Sequence, residues 1–166
     1  MGNIIKELIQ LIRREEEVLK RFLDLLQLQK QYLLANQIDQ FQETIHQQGA
    51  ILEEIRALEE KRIAKVGDMA ARTGMKEDEI TLTHLIEISL GDVSTELKGL
   101  KKSLSHLVER IRRVNRINEL LIKRSLNFIQ QSIDWMIDSS DITQVYDLNG
   151  RTTRQTGTNV MVNKVF

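Results

Sequence analysis

Proline is missing from all 166 residues of this chain, where average usage of roughly 5% would place about eight. Long helices exclude proline from their interiors, because it lacks the amide donor and clashes with the preceding turn. Cysteine is absent as well, which rules out disulfides and thiolate metal sites and fits a reducing compartment. Aromatic residues amount to one Trp, two Tyr and four Phe. Neither sign of charge is in excess, with 24 Lys plus Arg against 24 Asp plus Glu. No global field therefore draws the chain to nucleic acid or to an anionic membrane. No apolar run approaches the roughly 20 residues that a membrane span requires. Lys6 and Glu7 interrupt the first apolar residues, so the amino terminus does not read as a signal peptide. Met1-Gly2 lacks the Ser or Thr of an acylation signal, Lys6 standing at that place. The expectation is a soluble, cytoplasmic protein with no nucleic-acid partner and no direct membrane insertion.

What remains is rich in Leu, Ile, Gln, Glu, Lys and Arg, the composition of long helices and bundles. The first helix is expected from about Asn3 to Leu34. Ile4, Leu11, Val18, Leu25 and Tyr32 form one heptad line, and Ile5, Ile12, Leu19, Leu26 and Leu33 the adjacent one. Leu8 and Phe22 fill between them, so the stripe is wide enough to touch more than one neighbour. Leu34-Ala35-Asn36 interrupts the pattern, and Asp39 with Gln42 offers a capping box for the next helix. That helix, from Asp39 to Arg72, is expected to bury Ile38, Phe41, Ile45, Leu52, Ile55, Leu58, Val66 and Met69. Gln48 and Arg62 thin its core. Gly74 suits a left-handed closing residue. A short third helix starting at Asp78 or Thr81 carries Ile80, Leu82, Leu85, Ile86 and Ile88. Gly91-Asp92 breaks it, and Asp92 or Ser94 caps a last helix reaching about Asp138.

The last helix holds the most informative pattern. Val93, Leu100, Leu107, Val114, Leu121, Phe128 and Trp135 recur every seven residues. The companion line begins with Leu97, Leu104 and Ile111, then turns polar at Asn118, Ser125 and Ser132. A coiled-coil seam needs both lines apolar, so bundle packing is expected to weaken near Asn118. From there Ile122, Leu126, Ile129, Ile133 and Met136 form a different line on the flank of the old seam. After Ser139 the composition shifts to Thr, Asn, Gly, Arg and Gln. Asn149-Gly150 between Val145-Tyr146 and Thr152 is a hairpin-turn signal, although a lone hairpin is marginal in water and a mobile tail fits equally well. The expected fold is all-α: an elongated antiparallel helical bundle or coiled coil of three long helices and one short helix. Residues 1–138 form the bundle domain and 139–166 a polar, flexible C-terminal tail.

Few residues suggest chemistry. Glu43 and His46 have the Glu-x-x-His spacing of di-iron bundles, but such sites need the motif twice with two further glutamates, and the order at His84 and Glu87 is reversed. No phosphate loop or nucleophile elbow is present. The expectation is a protein with no cofactor, no metal and no catalytic residue. A basic patch at Arg110, Arg112, Arg113 and Arg116, continued by Lys123 and Arg124, reads as a solvated face, with Glu15-Glu16-Glu17 and Glu53-Glu54 offering intramolecular balance. The alternative is docking of an acidic partner surface.

Leaving Ile122, Leu126, Ile129, Ile133 and Met136 in water forgoes several kcal/mol, since each buried Leu or Ile is worth about 1.5–3 kcal/mol. Three outcomes are open. The first helix wraps back over them, a second copy covers them, or they receive an amphipathic helix of another protein.

Asn115-Arg116-Ile117-Asn118-Glu119-Leu120-Leu121-Ile122 resembles the Asn-x-x-Asn-x-x-Leu segment of the FlgN-type flagellar export chaperones. Tyr146-Asp147-Leu148-Asn149-Gly150 is similar to that family's Tyr-x-x-x-Gly piece. The resemblance implies a cytoplasmic, non-enzymatic chaperone for the hook-associated (hook-filament junction) proteins, which delivers them to the flagellar type III export gate. Contacts with the export ATPase are also implied. By position, the client surface is Leu121, Ile122, Leu126, Phe128, Ile129, Ile133 and Met136, and Tyr146 is the export-gate docking residue. The expected state is a monomer or weak homodimer. The alternative is a self-associating structural bundle or coiled-coil adaptor.

Overall fold

The structure is a computed structural model that describes residues 2–140, with side chains through residue 137, and two short strands at 145–146 and 152–153. The description is thus of an all-α bundle with three long helices and one short one: α1 (Gly2–Leu34), α2 (Ile38–Thr73), α3 (Leu82–Ile88) and α4 (Gly91–Ser140). A single 3₁₀ turn, Glu77–Glu79, precedes α3. The chain packs as two compact units, Met1–Leu121 and Ile122–Phe166.

The α1–α2 turn is built by Asn36. Its φ of 53° places it in the left-handed region, which Asn tolerates better than other residues with a Cβ. The Gln37 N–H then reaches Tyr32 O at 2.9 Å and the Asn36 N–H reaches Leu33 O at 3.3 Å, the paired bonds of a Schellman ending. The expected capping box at Asp39 does not form. Gln37 is the N-cap, makes no side-chain cap bond, and Asp39 lies inside the first turn of α2. At the far end Gly74, φ 72°, closes α2 by donating to Ala70 O. Thr81 caps α3, its hydroxyl accepting from the His84 N–H at 3.1 Å.

In the first unit α1 and α2 run antiparallel. Lys65 meets Glu7 at 2.8 Å, Arg62 meets Glu15 at 3.0 Å, Arg21 meets Glu54 at 2.6 Å, and Gln29 donates to Gln48 at 2.9 Å. α4 returns parallel to α1, as the third long helix of an up-down-up bundle must. Arg13 pairs with Glu96 at 2.6 Å, the Ser103 hydroxyl donates to Glu16, and Asn118 Nδ2 donates to Leu26 O at 2.8 Å. The core cluster joins Ile4, Leu8 and Ile12 of α1 to Met69 of α2, Ile80, Leu85 of α3, and Leu97 and Leu100 of α4. The short segment after Gly74 therefore packs on the bundle, closing the end where α1 begins.

The expected buried side of α2 is corrected in part. Leu58 is buried as expected, but Ile38, Ile45 and Leu52 are exposed and Thr44 is buried instead. A 3-4 alternation through Phe41, Thr44, Gln48, Ile51, Ile55 and Leu58 puts the seam one residue away from the more apolar line. The polar members can enter because they are satisfied: Thr44 donates to Phe41 O, and Gln48 accepts from the buried Gln29. The weakening of packing expected near Asn118 begins just past it, where Leu120 is already 51% exposed. Asn118 itself is 3% exposed, as buried as the leucines before it. Its amide bond to α1 replaces apolar contact, although Oδ1 has no hydrogen-bond partner among the described residues, at a cost of about 1–3 kcal/mol. A lone polar residue in a seam trades stability for register.

Two predictions follow from these contacts. Asn118→Leu removes the orphan acceptor and should hold or raise stability by about 1 kcal/mol, whereas Asn118→Asp should cost about 2–4 kcal/mol in denaturant titrations. The bonds from Lys20 and Ser103 hold the Glu16 carboxyl below its ordinary value of 4.5. A folded-state value below the unfolded one stabilises above the ordinary value and is lost as pH falls through the lowered one. Glu16→Gln should therefore cost about 1 kcal/mol at neutral pH, with the gap to the parent chain closing below about pH 4.

Candidate functional site

Beyond Leu121 the heptad line that is buried earlier in α4 comes out of cover. Val93, Leu100, Leu107, Val114 and Leu121 are buried or half-buried, but Phe128 and Trp135 are 70% and 73% exposed. In the second unit Ile122 is half-buried, while Leu126, Ile129, Ile133 and Met136 are between 45% and 67% exposed. Spacings of three and four residues bring these five onto one side of the helix, within an arc of about 80° at about 100° per residue. Ile137, half exposed, extends the same side. It is absent from the residues expected for the site, although its place four residues after Ile133 carries the signal.

Phe128 and Trp135 stand on a separate flank, one heptad apart. Ser125 and Ser132 lie between that flank and the main row, and the Ser132 hydroxyl is turned back to Phe128 O at 2.8 Å. Small side chains thus separate two apolar rows along the helix. Leu121 ends the first unit and is half-buried. The polar surroundings mix amides and charges: Lys123, Arg124, Asn127, Gln130 and Gln131 are exposed, and Gln130 donates to Asp134 at 2.9 Å. Tyr146 lies in β1 (Val145–Tyr146), which pairs antiparallel with β2 (Thr152–Thr153), Tyr146 opposite Thr152. The strands fall where the hairpin signal placed them, with residues 147–151 between. The side chain of Tyr146 and the rest of the polar tail are outside the described residues.

The arrangement is suited to association. Half-exposed Leu126, Ile129, Ile133 and Met136 offer about 3–6 kcal/mol on complete burial, taking half the value of a fully exposed side chain. The aromatic pair adds large, rigid area of the kind that anchors interfaces. Among the described residues no group of three or more His, Asp or Glu is placed to hold a metal ion. Glu43 and His46 are both exposed on α2. No helix of the described residues is long and apolar enough to cross a membrane.

A protein-family model described as FlgN protein matches residues 1–154, from the start of α1 through β2. No curated protein and no solved structure matches the chain.

Burial sorts the apolar residues of α4 into two classes with different responses to substitution. Ile129→Ser and Ile133→Ser should move folding stability by no more than about 0.5 kcal/mol, as surface changes do. Leu97→Ala, at a position with no exposed area, should cost about 2–5 kcal/mol. Thermal or denaturant unfolding of the three variants checks the contrast.

Proposed function

The chain belongs to the FlgN family of flagellar export chaperones, and on that premise we propose that it escorts hook-associated (junction) proteins in the cytoplasm to the flagellar type III export gate. The observation that carries this reading is the exposed row Leu126, Ile129, Ile133 and Met136. An amphipathic terminal helix of the client lies along it, with Leu121, Ile122 and Phe128 completing the contact, in the helix-in-groove manner. A micromolar complex needs only about 8 kcal/mol net, within reach of the row together with the aromatic flank. Action is by occupancy: apolar client surface is held out of water, and no covalent step or cofactor takes part. Tyr146 is assigned the contact with the export gate, and the export ATPase is a further partner. The working state is a monomer or weak homodimer.

A competing reading makes the same row a self-association surface of a structural coiled-coil adaptor. The exposed Ile38, Ile45 and Leu52 of α2 are the feature that favours it.

Calorimetric titration with the purified C-terminal segment of a junction protein separates the two. A one-to-one complex with a negative heat-capacity change reports apolar burial and supports the chaperone. Ile129→Asp should weaken that complex at least tenfold, about 1.4 kcal/mol or more, with the helical circular dichroism unchanged. No binding by a chain that is already a concentration-independent dimer would refute the chaperone reading in favour of the adaptor.

A further inference from the structure

Overall neutrality conceals a strong local imbalance. Residues 98–121 of α4 hold seven Lys or Arg against two Glu. Six of the cations, Lys98, Lys101, Lys102, Arg112, Arg113 and Arg116, sit on the side of α4 away from its buried line of Leu97, Leu100, Leu107 and Asn118, and all six are exposed. They extend over about 27 Å at about 1.5 Å per residue.

Four of the five glutamates expected to balance these charges are engaged elsewhere, Glu17 being the exception. Glu15 pairs with Arg62, Glu16 with Lys20, Glu53 with Arg56 and Glu54 with Arg21. On the outer face of α4, by contrast, Lys98, Lys102, Arg112 and Arg116 make no ion pair among the described residues. Arg113 has an exposed contact with Glu109 at 3.4 Å. Lys101 donates to the Thr83 hydroxyl at 2.8 Å. Six of the eleven cations of α1 and α2 thus make ion pairs within the bundle, against one of these six on α4.

We propose that this outer face of α4 is an electrostatic docking surface for anionic phospholipid headgroups. Three alternatives fit less well. A protein interface wants aromatic or apolar anchors at its centre, and the outward positions between Lys98 and Arg116 carry Lys, Ser, His, Glu and Arg instead. Single-stranded nucleic acid wants aromatic platforms, and duplex recognition a groove-reading element. An anionic bilayer needs only a one-sided array of cations, each multiplying association about fivefold near the surface. Leu90, 87% exposed in the turn just before α4, adds one apolar contact at the Lys98 end, too little to hold the protein on neutral lipid. Binding of this kind is peripheral and spans nothing. It is independent of the client-binding row.

The test is co-sedimentation of the full chain with vesicles of phosphatidylcholine alone and of equimolar phosphatidylcholine and phosphatidylglycerol. Binding is expected to the mixed vesicles, absent from the neutral ones, and abolished by salt on the order of 0.5 M. A quadruple variant, Lys98→Gln, Lys102→Gln, Arg112→Gln and Arg116→Gln, should lose at least tenfold of that binding while keeping its circular dichroism and its affinity for the client segment. Ile129→Asn, which weakens the apolar row without altering charge, should bind the mixed vesicles as the parent does. Equal binding to both vesicle types, or loss of vesicle binding in Ile129→Asn with retention in the quadruple variant, would overturn the proposal. So would absence of vesicle binding, with the quadruple variant instead losing affinity for duplex RNA or an acidic polypeptide.

Discussion

α1 gives up two sides of itself at once, and the rest of the first unit depends on that constraint. Its paired heptad lines put Leu8 and Leu26 almost wholly out of water, which a single partner helix cannot do. One side must meet α2 and the other α4, so α4 has to return parallel to α1 after α2 has run back. Making that return requires the chain to cross the end of the bundle. The segment through Ile80 and Leu85 uses the crossing to cover Ile4, Leu8 and Met69. The apolar cluster at that end is the structural foundation on which the charged and polar contacts are laid.

Those polar contacts set alignment more than they supply energy. The pairs joining α1 to α2 include the half-exposed Arg21–Glu54 bridge, and such surface pairs contribute little each. Gln29 with Gln48, Ser103 with Glu16, and Asn118 with Leu26 O are more enclosed. Each leaves a buried group unpaired if its helix slides by a turn, so each penalises the wrong register. Glu15 shows the cost of such enclosure. Burial pushes its carboxyl up, and the Arg62 beside it only partly pulls it back. Glu15, Glu16, Glu53 and Glu54 find their partners on α1 and α2, and none of them pairs with a cation of α4.

The second unit begins where this logic stops. From Ile122 onward the described part of α4 keeps an exposed apolar row, in a family of export chaperones. An exposed apolar row is costly in isolation and useful to a protein that works by holding another. Separation of the self-contained core from the exposed row means that changes to the row leave folding energetics largely untouched. The buried core and the exposed apolar row thereby occupy different stretches of one helix.

Much of this was legible in the residues. Heptad spacing, absent proline, Asn36, Gly74 and Thr81 located the helices and most of their ends, because helix period and terminal geometry are local properties. The row from Ile122 to Met136 was legible for the same reason. Its exposure was not, since burial depends on what else in the chain reaches those positions. The choice of Thr44 over Ile45 in the α2 seam was equally hidden, because hydrophobicity ranks residues one at a time while a seam is set by the 3-4 alternation of two helices together. Asn118 reads in sequence as a break, and only the arrival of Leu26 O beside it makes the break an anchor. The charge on α4 balances in the count and fails to balance in space, because ion pairing follows distance in the fold and not totals in the chain. Local periodicity thus determined the helices, and tertiary packing decided which of their faces meet water.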